Sequence, residues 1–422
     1  MNADRVVQHV TCLGCGCGCD DVSVTVRENS IVSATPVCPL GRAWFGDGRV
    51  PSAVLRDGQG STLEQALAAA AATLIPARGR CLVHLGSDLS SQAQRRALNI
   101  ADFLRATVDS DTSETAANGL LTMQRRGRAS ATLGEIRNRG DVFLFWGVDP
   151  AERYPRFLER YSLDPVGTHV PGGRAGRELI AVSVGADRSL TGATLSLDLD
   201  PTEEITALSL LRAVMGGAAV PESPLALRVR EIAERLTRAR YAVLVHDAES
   251  TSEPRNPLRV EGLIALTQAL NGPTRAALCS LRAGGNQVGA EAVLTSHTGF
   301  PFAVDYSRGY PRYQPERRGI ARLQSGALQS ALVLGSPQLA EAARRALSSI
   351  STVAIGPRAS EAAFTTRVAV DTGTAGIHEG GFAYRMDEVP LGLRPPLSGP
   401  PATADVLAAL EEALRSPGAH ST

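Results

Sequence analysis

The sequence predicts an α/β protein of doubly wound parallel sheets, preceded by a small cysteine-rich unit. Short apolar runs recur along the chain between amphipathic helical stretches. The runs are β-branched or Leu-rich and lack polar alternation, so they read as strands buried on both faces, which is the habit of parallel sheets flanked by helices. Five of the seven cysteines lie within the first 38 residues, which sets the N-terminus apart. At 422 residues the chain exceeds one ordinary domain, so two or three packed units are expected.

In chain order the expected strands are residues 81–85, 142–146, 179–184, 241–245, 276–281, 331–334 and 352–355. Most end at Gly, Ser, Asp or Pro, the residues that turn a chain out of a sheet. The helical period places helices at 62–73, 92–104, 202–215, 225–238 and 338–347. Ligands of such sheets sit beyond the carboxyl ends of strands, which directs attention to the loops after Trp146, Val184 and Leu281. Residues 390–401, rich in Pro, Leu and Gly, read as extended, and 402–414 as a last amphipathic helix that docks on the body or on a partner.

Charge excludes several functions. The 43 basic residues balance 43 acidic ones, so the chain presents no net field for nucleic acid or an anionic membrane. Every basic residue is Arg, which rules out a P-loop lysine and a Schiff-base lysine. The start of the chain, Met1 to Val7, has no basic head followed by a long apolar stretch. The longest apolar stretch, 66–75, is far too short to span a bilayer. A cytoplasmic location follows as an expectation; thiols stay reduced there and hold metals more often than they pair.

Cys12, Cys15 and Cys19, followed by Cys38 just before Pro39, carry the most specific chemical signal. Three thiolates from one tight loop and a fourth from a distant return of the chain suit a 4Fe–4S cluster. Gly14, Gly16 and Gly18 allow the turns such a loop needs. Structural zinc usually takes two separated pairs, and the second pair is missing here. An empty, relict loop is the third reading. Cys17 is surplus to a four-ligand set.

Three further loops stand out. Arg282 and Asn286 flank small residues after a buried strand, which suits close approach to an anionic cofactor as well as a structural turn. Residues 296–313 are dense in Gly, Pro, aromatics and Arg, with neither helical nor strand period. Residues 378–387 are similar in kind, and their His378–Glu379 pair reads as structural before catalytic.

The cysteine loop, the Arg282 to Asn286 turn, residues 297–313 and residues 379–390 together resemble the B-subunit family of formylmethanofuran dehydrogenase. That family also takes in the B subunit of the bacterial formyltransferase/hydrolase complex. Phe145, Trp146, Gly147, Val148, Asp149 and Pro150 are similar to its strand-end motif. The resemblance runs through nearly the whole chain. It implies a molybdopterin-oxidoreductase-like fold, with a small N-terminal cysteine-cluster domain and two doubly wound α/β domains around a pterin cleft. The boundaries expected are 1–55 for the iron–sulfur-type domain, 56–130 with 280–390 for one α/β domain, 131–279 for the other, and 391–422 for the Pro-rich tail and docking helix. The resemblance assigns Cys12, Cys15, Cys19 and Cys38 to the metal and Arg282 and Asn286 to cofactor binding.

Two departures from the family pattern bear on function. The dehydrogenase places a metal-ligating Cys, then His and Gly, after an Asp-Thr-Ser stretch. Here Asp111, Thr112 and Ser113 are followed by Glu114, Thr115, Ala116, Ala117, Asn118 and Gly119, without cysteine or histidine. Cys81 and Cys279, the only cysteines outside the N-terminal loop, belong to expected strands or their ends. A thiolate tunes tungsten or molybdenum for two-electron chemistry, and Ser113 or Glu114 would bring only oxygen. Second, Val182, Ser183, Val184 and Gly185 stand where the family carries an Asp-Pro-Arg phosphate contact. The expectation is a subunit without molybdopterin or tungstopterin and without its own redox catalysis. It would serve tetrahydromethanopterin-linked one-carbon metabolism in a complex with an amidohydrolase-like A subunit, a formyltransferase and a C subunit, the complex binding a methanofuran-type carrier. The alternatives are a tungsten- or molybdenum-pterin catalytic subunit interconverting CO2 and formate, and a stand-alone redox or binding module.

Overall fold

Several helices, half of the longer ones among them, begin where a Ser or Thr side chain can accept a free backbone N–H of the first turn, a local start signal written in the sequence. The hydroxyls of Thr62, Ser90, Ser113, Thr132 and Ser223 each accept from the N–H three residues on, and Pro224 adds a first helical residue with no N–H to satisfy. In the computed structural model, which describes residues 4–249, 251 and 255–416, these helices alternate with short buried strands. Met1 to Ala3 and the last six residues of the expected tail lie outside the described residues.

The chain divides into two units, one formed by 1–112 with 284–422 and the other by 113–283. The first segment runs through β1 (Arg5–Cys12), β2 (Cys19–Arg27), β3 (Ser30–Thr35), α1 (Pro39–Phe45), β4 (Val54–Arg56), β5 (Gln59–Gly60), α2 (Leu63–Leu74), β6 (Cys81–Leu85), α3 (Ser91–Phe103) and β7 (Thr107–Ser110). The inserted unit comprises α4 (Glu114–Arg126), α5 (Leu133–Arg139), β8 (Val142–Trp146), α6 (Phe157–Tyr161), β9 (Glu178–Val184), β10 (Leu195–Leu199), α7 (Glu204–Met215), α8 (Pro224–Arg238), β11 (Ala242–Asp247), α9 (Arg259–Leu270) and β12 (Ala276–Leu281). The first unit resumes with α10 (Gln287–Thr298), β13 (Val304–Asp305), β14 (Arg312–Tyr313), α11 (Gly319–Gln324), β15 (Ser330–Leu334), α12 (Glu341–Leu347), β16 (Ser351–Gly356), β17 (Val368–Asp371), β18 (Gly381–Tyr384), β19 (Pro390–Leu393) and α13 (Thr403–Arg415).

In the first unit the large sheet runs β14-β13-β7-β6-β15-β16-β17-β4-β5. Its five central strands are parallel and its margins antiparallel. The order reverses between β6 and β15, a topological switch point at which doubly wound sheets bind ligands. Helices α2, α3, α10 and α13 contribute to a core with Leu74, Leu85, Leu98, Leu334 and Leu410, all fully buried. The antiparallel sheet β1-β2-β3 carries the cysteines, and β18 and β19 pair as a hairpin. In the second unit the sheet is wholly parallel, in the order β10-β9-β8-β11-β12, with its switch point between β8 and β11.

The expected strands all form, shifted at most by a residue or two. The stretch 296–313, read as irregular throughout, instead opens on the last turn of α10 and contains β13 and β14. That helix is buried over residues 288–294 except Ala292 and exposed at Thr295, Ser296 and His297, so its sequence offers no clean polar stripe. The expected last helix is α13, and its Val406, Leu407, Leu410 and Leu414 are buried within the first unit's own core. Among the described residues no helix is long and apolar enough to cross a membrane.

Candidate functional site

The cysteine loop is the turn between two antiparallel strands. Cys12 ends β1 and Cys19 opens β2, directly opposite each other. Gly18, at φ +51°, closes the turn with an N–H to the Cys15 carbonyl of 3.3 Å. Cys38 caps helix α1, its Sγ accepting from Gly41 N at 3.4 Å, while Cys12 Sγ accepts from Gly14 N at 3.5 Å. The two loops interlock where side chains are missing: a Cβ on Gly41 would lie 3.2 Å from Cys12 Sγ, and one on Gly14 only 2.8 Å from the Leu40 carbonyl oxygen. A third segment closes the floor, with Gly285 N donating to the Leu13 carbonyl at 2.7 Å and no room for a Cβ on Gly284 beside Cys15.

Cys12, Cys15, Cys17 and Cys19 are buried and Cys38 is partly so. Burial pushes the Cys12 thiol up to about 12, against the Gly14 N–H, and the neighbouring Cys19, Cys15 and Cys38 push the same way. The four thiols are thus close enough for each charge on the other three to be felt at Cys12. Among the described residues no group of three or more His, Cys, Asp or Glu side chains that could hold a metal ion is found. A lone ion holds its thiolates about 2.3 Å away, whereas a four-iron core keeps them farther apart because iron and sulfide lie between.

At the switch point of the first unit the backbone donors are already taken by carboxylates. Asp88 accepts from Ser336 N with both oxygens, at 2.9 and 3.1 Å. Asp111 accepts from Ser87 N at 2.8 Å and from His84 Nε2 at 3.0 Å. Burial pushes the Asp88 carboxyl up to about 6, opposed by the Ser336 N–H and aided by the charge of Asp111. Burial alone would lower His84, but its bond to Asp111 raises it; burial would raise Asp111, but His84 and the Ser87 N–H hold it below the usual carboxylate range. Thr112 Oγ1 donates to Glu291 at 2.7 Å.

Asn286 has no exposed surface, and both ends of its amide are spent. Nδ2 donates to the Leu89 carbonyl and Ser91 Oγ at 3.0 Å each, and Oδ1 accepts from Tyr384 N at 2.7 Å. This amide ties α3 to the β18 strand. Glu379 is spent similarly, accepting from Ser90 Oγ and, at 2.8 Å, from Thr403 N at the start of α13. His378 Nδ1 accepts from Thr374 N at 3.2 Å, a turn contact.

In the second unit the strand ends carry a dense network of ion pairs. Arg282 Nε reaches Glu249 at 2.7 Å, and Glu249 also accepts from Ser113 Oγ at 2.7 Å and Ala283 N at 3.1 Å. Burial alone would raise Glu249, yet these partners hold it below its ordinary value. Ser113 is the N-cap of α4 as well, so its oxygen serves two bonds inside the unit. Arg255 joins Asp187 at 2.8 Å, and Arg259 joins both Asp187 and Glu204. Tyr154 donates to Asp247 at 2.9 Å, and Arg153 pairs with the same carboxylate. Gly147, at φ +57°, leaves the space into which the Arg259 guanidinium fits. His246 bonds Ser280 at 2.8 Å and is held neutral, pushed down to about 3 by burial and by the nearby Arg255, Arg259 and Arg128.

The expected site residues therefore fall into three places. The four cysteines share one corner of the first unit, Asn286 clamps α3 to a strand in that unit, and Arg282 belongs to the ion-pair network of the second. Asp88, His84 and Glu249 were not singled out from the sequence. The pattern that marks the two carboxylates is an apolar run ending in a small or acidic residue, with a carboxylate two residues on: Gly86 before Asp88, and Asp247 before Glu249.

No family model matches the chain. It is 30% identical over 416 residues to the B subunit of the tungsten-containing formylmethanofuran dehydrogenase 2 of Methanocaldococcus jannaschii, an alignment covering 94% of this chain and 95% of that one. It is 29% identical over 282 residues to the B subunit of the formyltransferase/hydrolase complex Fhc of Methylorubrum extorquens, covering 66% and 73%. Among solved structures, the formyltransferase/hydrolase complex FhcABCD of Methylorubrum extorquens with methylofuran contains a chain of similar fold, with a TM-score of 0.72 at 24% identity, covering 86% of this chain and 98% of that chain.

Proposed function

The chain belongs to the B-subunit family of formylmethanofuran dehydrogenase, and from that premise we propose that it is the B subunit of a formyltransferase/hydrolase-type complex, acting as a scaffold without redox catalysis of its own. The proposed partners are an amidohydrolase-like A subunit, a formyltransferase and a C subunit. The complex would bind a methanofuran-type carrier in tetrahydromethanopterin-linked one-carbon metabolism, in the cytoplasm. One observation carries the non-redox reading. Where the dehydrogenase places its metal-ligating cysteine, after the Asp-Thr-Ser stretch, this chain has residues 114–119 without cysteine or histidine, and the preceding Asp111, Thr112 and Ser113 side chains are each committed to partners within their own unit. Freeing any of them for a metal would cost a partner its bond: the half-buried His84, the buried Glu291 or the first turn of α4.

A molybdopterin-oxidoreductase-like fold is part of the proposal, but a pterin dinucleotide does not suit the residues present. Its phosphates would need open backbone N–H groups or arginines at the strand ends. Ser87 N and Ser336 N already donate to carboxylates, whose charge would repel a phosphate. The residues after β9 carry Asp187, already paired with Arg255 and Arg259. No step is assigned to that cofactor.

The cysteine corner does suit a 4Fe–4S cluster, which we place on Cys12, Cys15, Cys19 and Cys38. Such a cluster supplies one-electron transfer. The chain's own part is to keep water out by burying the loop and to direct the Gly14 and Gly41 N–H groups at two of the sulfurs. The test is elemental analysis of the intact complex purified without air. We expect about four iron and four sulfide per copy of this chain, with tungsten and molybdenum far below one. Stoichiometric tungsten or molybdenum would favour the second reading, a pterin-dependent dehydrogenase subunit, which the M. jannaschii relative named above keeps in view.

A further inference from the structure

We infer that the metal-free chain has a second covalent state, a cross-strand disulfide between Cys12 and Cys19. The two residues are Cα partners across the antiparallel pair β1 and β2, just past a register irregularity between Val10 and Cys12. Directly opposed residues in such a pair lie about 4.5–5.5 Å apart at Cα and point to the same face. A disulfide asks for roughly 4.4–6.8 Å and side chains that converge. Of the three cysteines around Cys12, Cys19 bears on its thiol most strongly, ahead of Cys15 and Cys38. The competing pairings are worse placed. Cys15 stands inside the turn, with its carbonyl bonded to Gly18 N and its backbone against Gly284. The Cys38 sulfur is occupied as the cap of α1, on a segment separated from the turn by β2 and β3.

Cys12 and Cys19 are only 6% and 5% exposed, so the reagent must be small and neutral; a peroxide meets that need. One sulfur takes an oxygen atom from hydrogen peroxide, giving a sulfenic acid and one water. The other sulfur attacks it, the S–O bond breaks, and the oxygen leaves as a second water. Two thiols lose two electrons and two protons, and the peroxide is reduced to two waters. The bond removes two of the four thiolates assigned above to the cluster, so this consequence rests on that assignment, whereas the disulfide itself does not. Oxidation and cluster loading then exclude each other. In a reducing compartment a disulfide of this kind is transient and reports oxidant.

The experiment uses the full-length chain in its complex, stripped of iron with a chelator, reduced, and exposed to a slight excess of hydrogen peroxide. Free thiols are alkylated before tryptic digestion and mass spectrometry. The expected peptide, residues 6–27, has lost two hydrogens, carries alkyl groups on Cys15 and Cys17, and fragments as a Cys12–Cys19 loop, while Cys38 in residues 28–42 is alkylated. Cys12→Ala and Cys19→Ala should each abolish the loop, and Cys15→Ala should keep it. A bridge between the two peptides, or a loop that survives Cys12→Ala, overturns the inference, as does full alkylation of residues 6–27 after peroxide. Iron uptake is read separately on the reduced chain. Failure there removes the cluster assignment and leaves the disulfide result to stand or fall alone.

Discussion

At the scale of single residues, the chemistry of this protein is decided by which polar groups are already satisfied. From the sequence Asn286 reads as a cofactor contact or as part of a structural turn, because it follows a strand and sits among glycines. That local pattern could not reveal that Leu89, Ser91 and Tyr384 use up its amide, since these partners lie far away in the chain. The cysteine spacing was legible because the turn that gathers Cys12, Cys15 and Cys19 is short and local. Asp88 was not, because its environment is made by β15 and by Asp111. It yields a pH prediction. The folded chain keeps the Asp88 proton to about pH 6, while an unfolded aspartate releases it near pH ~4. Between these values the folded state binds the extra proton, so this contribution to stability is full at low pH and lost as pH rises, by up to about 3 kcal/mol. Asp88→Asn, which retains an oxygen for Ser336 N, should remove that dependence. Urea titrations of both forms at several pH values would measure it. The variant should gain on the wild type from pH ~4 to pH ~7, and a constant difference would contradict the assignment.

At the scale of elements, the strands legible in the sequence are those buried on both faces, such as β6, β8 and β12, where apolar residues dominate and at most one polar residue, His84 in β6 or Ser280 in β12, interrupts the run. The strands missed have mixed composition. β7 reads Thr-Val-Asp-Ser yet is wholly buried, and β10 alternates Leu with Ser and Asp at a sheet edge. Helix α10 is hard to read because its exposed residues, Thr295, Ser296 and His297, are consecutive at one end rather than spaced along one face, so it lacks amphipathic contrast. Helix α13 was legible from its apolar period, and the structure adds where it goes: it packs on α2 and α3, and Glu379 accepts from its first N–H. It is therefore part of the first unit's core. Leu410 in α13 has no exposed surface, and Leu410→Ala should cost about 2–5 kcal/mol by leaving a cavity. Thermal unfolding would register this as a clear fall in Tm. A change within error would mean that α13 docks on something other than its own unit.

For the whole molecule, the chain returns to its first unit after the inserted residues 113–283. No periodicity in the sequence announces that, because pairing β6 with β15 is a matter of long-range packing rather than local preference. Zero net charge gives little repulsion between copies, and Val6, Val166, Leu227 and Tyr310 are exposed apolar side chains, a surface consistent with life inside an assembly. The proposed role is membership of a working formyl-transfer complex without carbon redox chemistry. Its most direct test is formate-dependent reduction of a viologen dye by the complex purified without air, measured beside formyl transfer in the same preparation. The expected result is formyl transfer with no dye reduction above the buffer blank. Dye reduction that depends on formate and tracks tungsten or molybdenum content would contradict it.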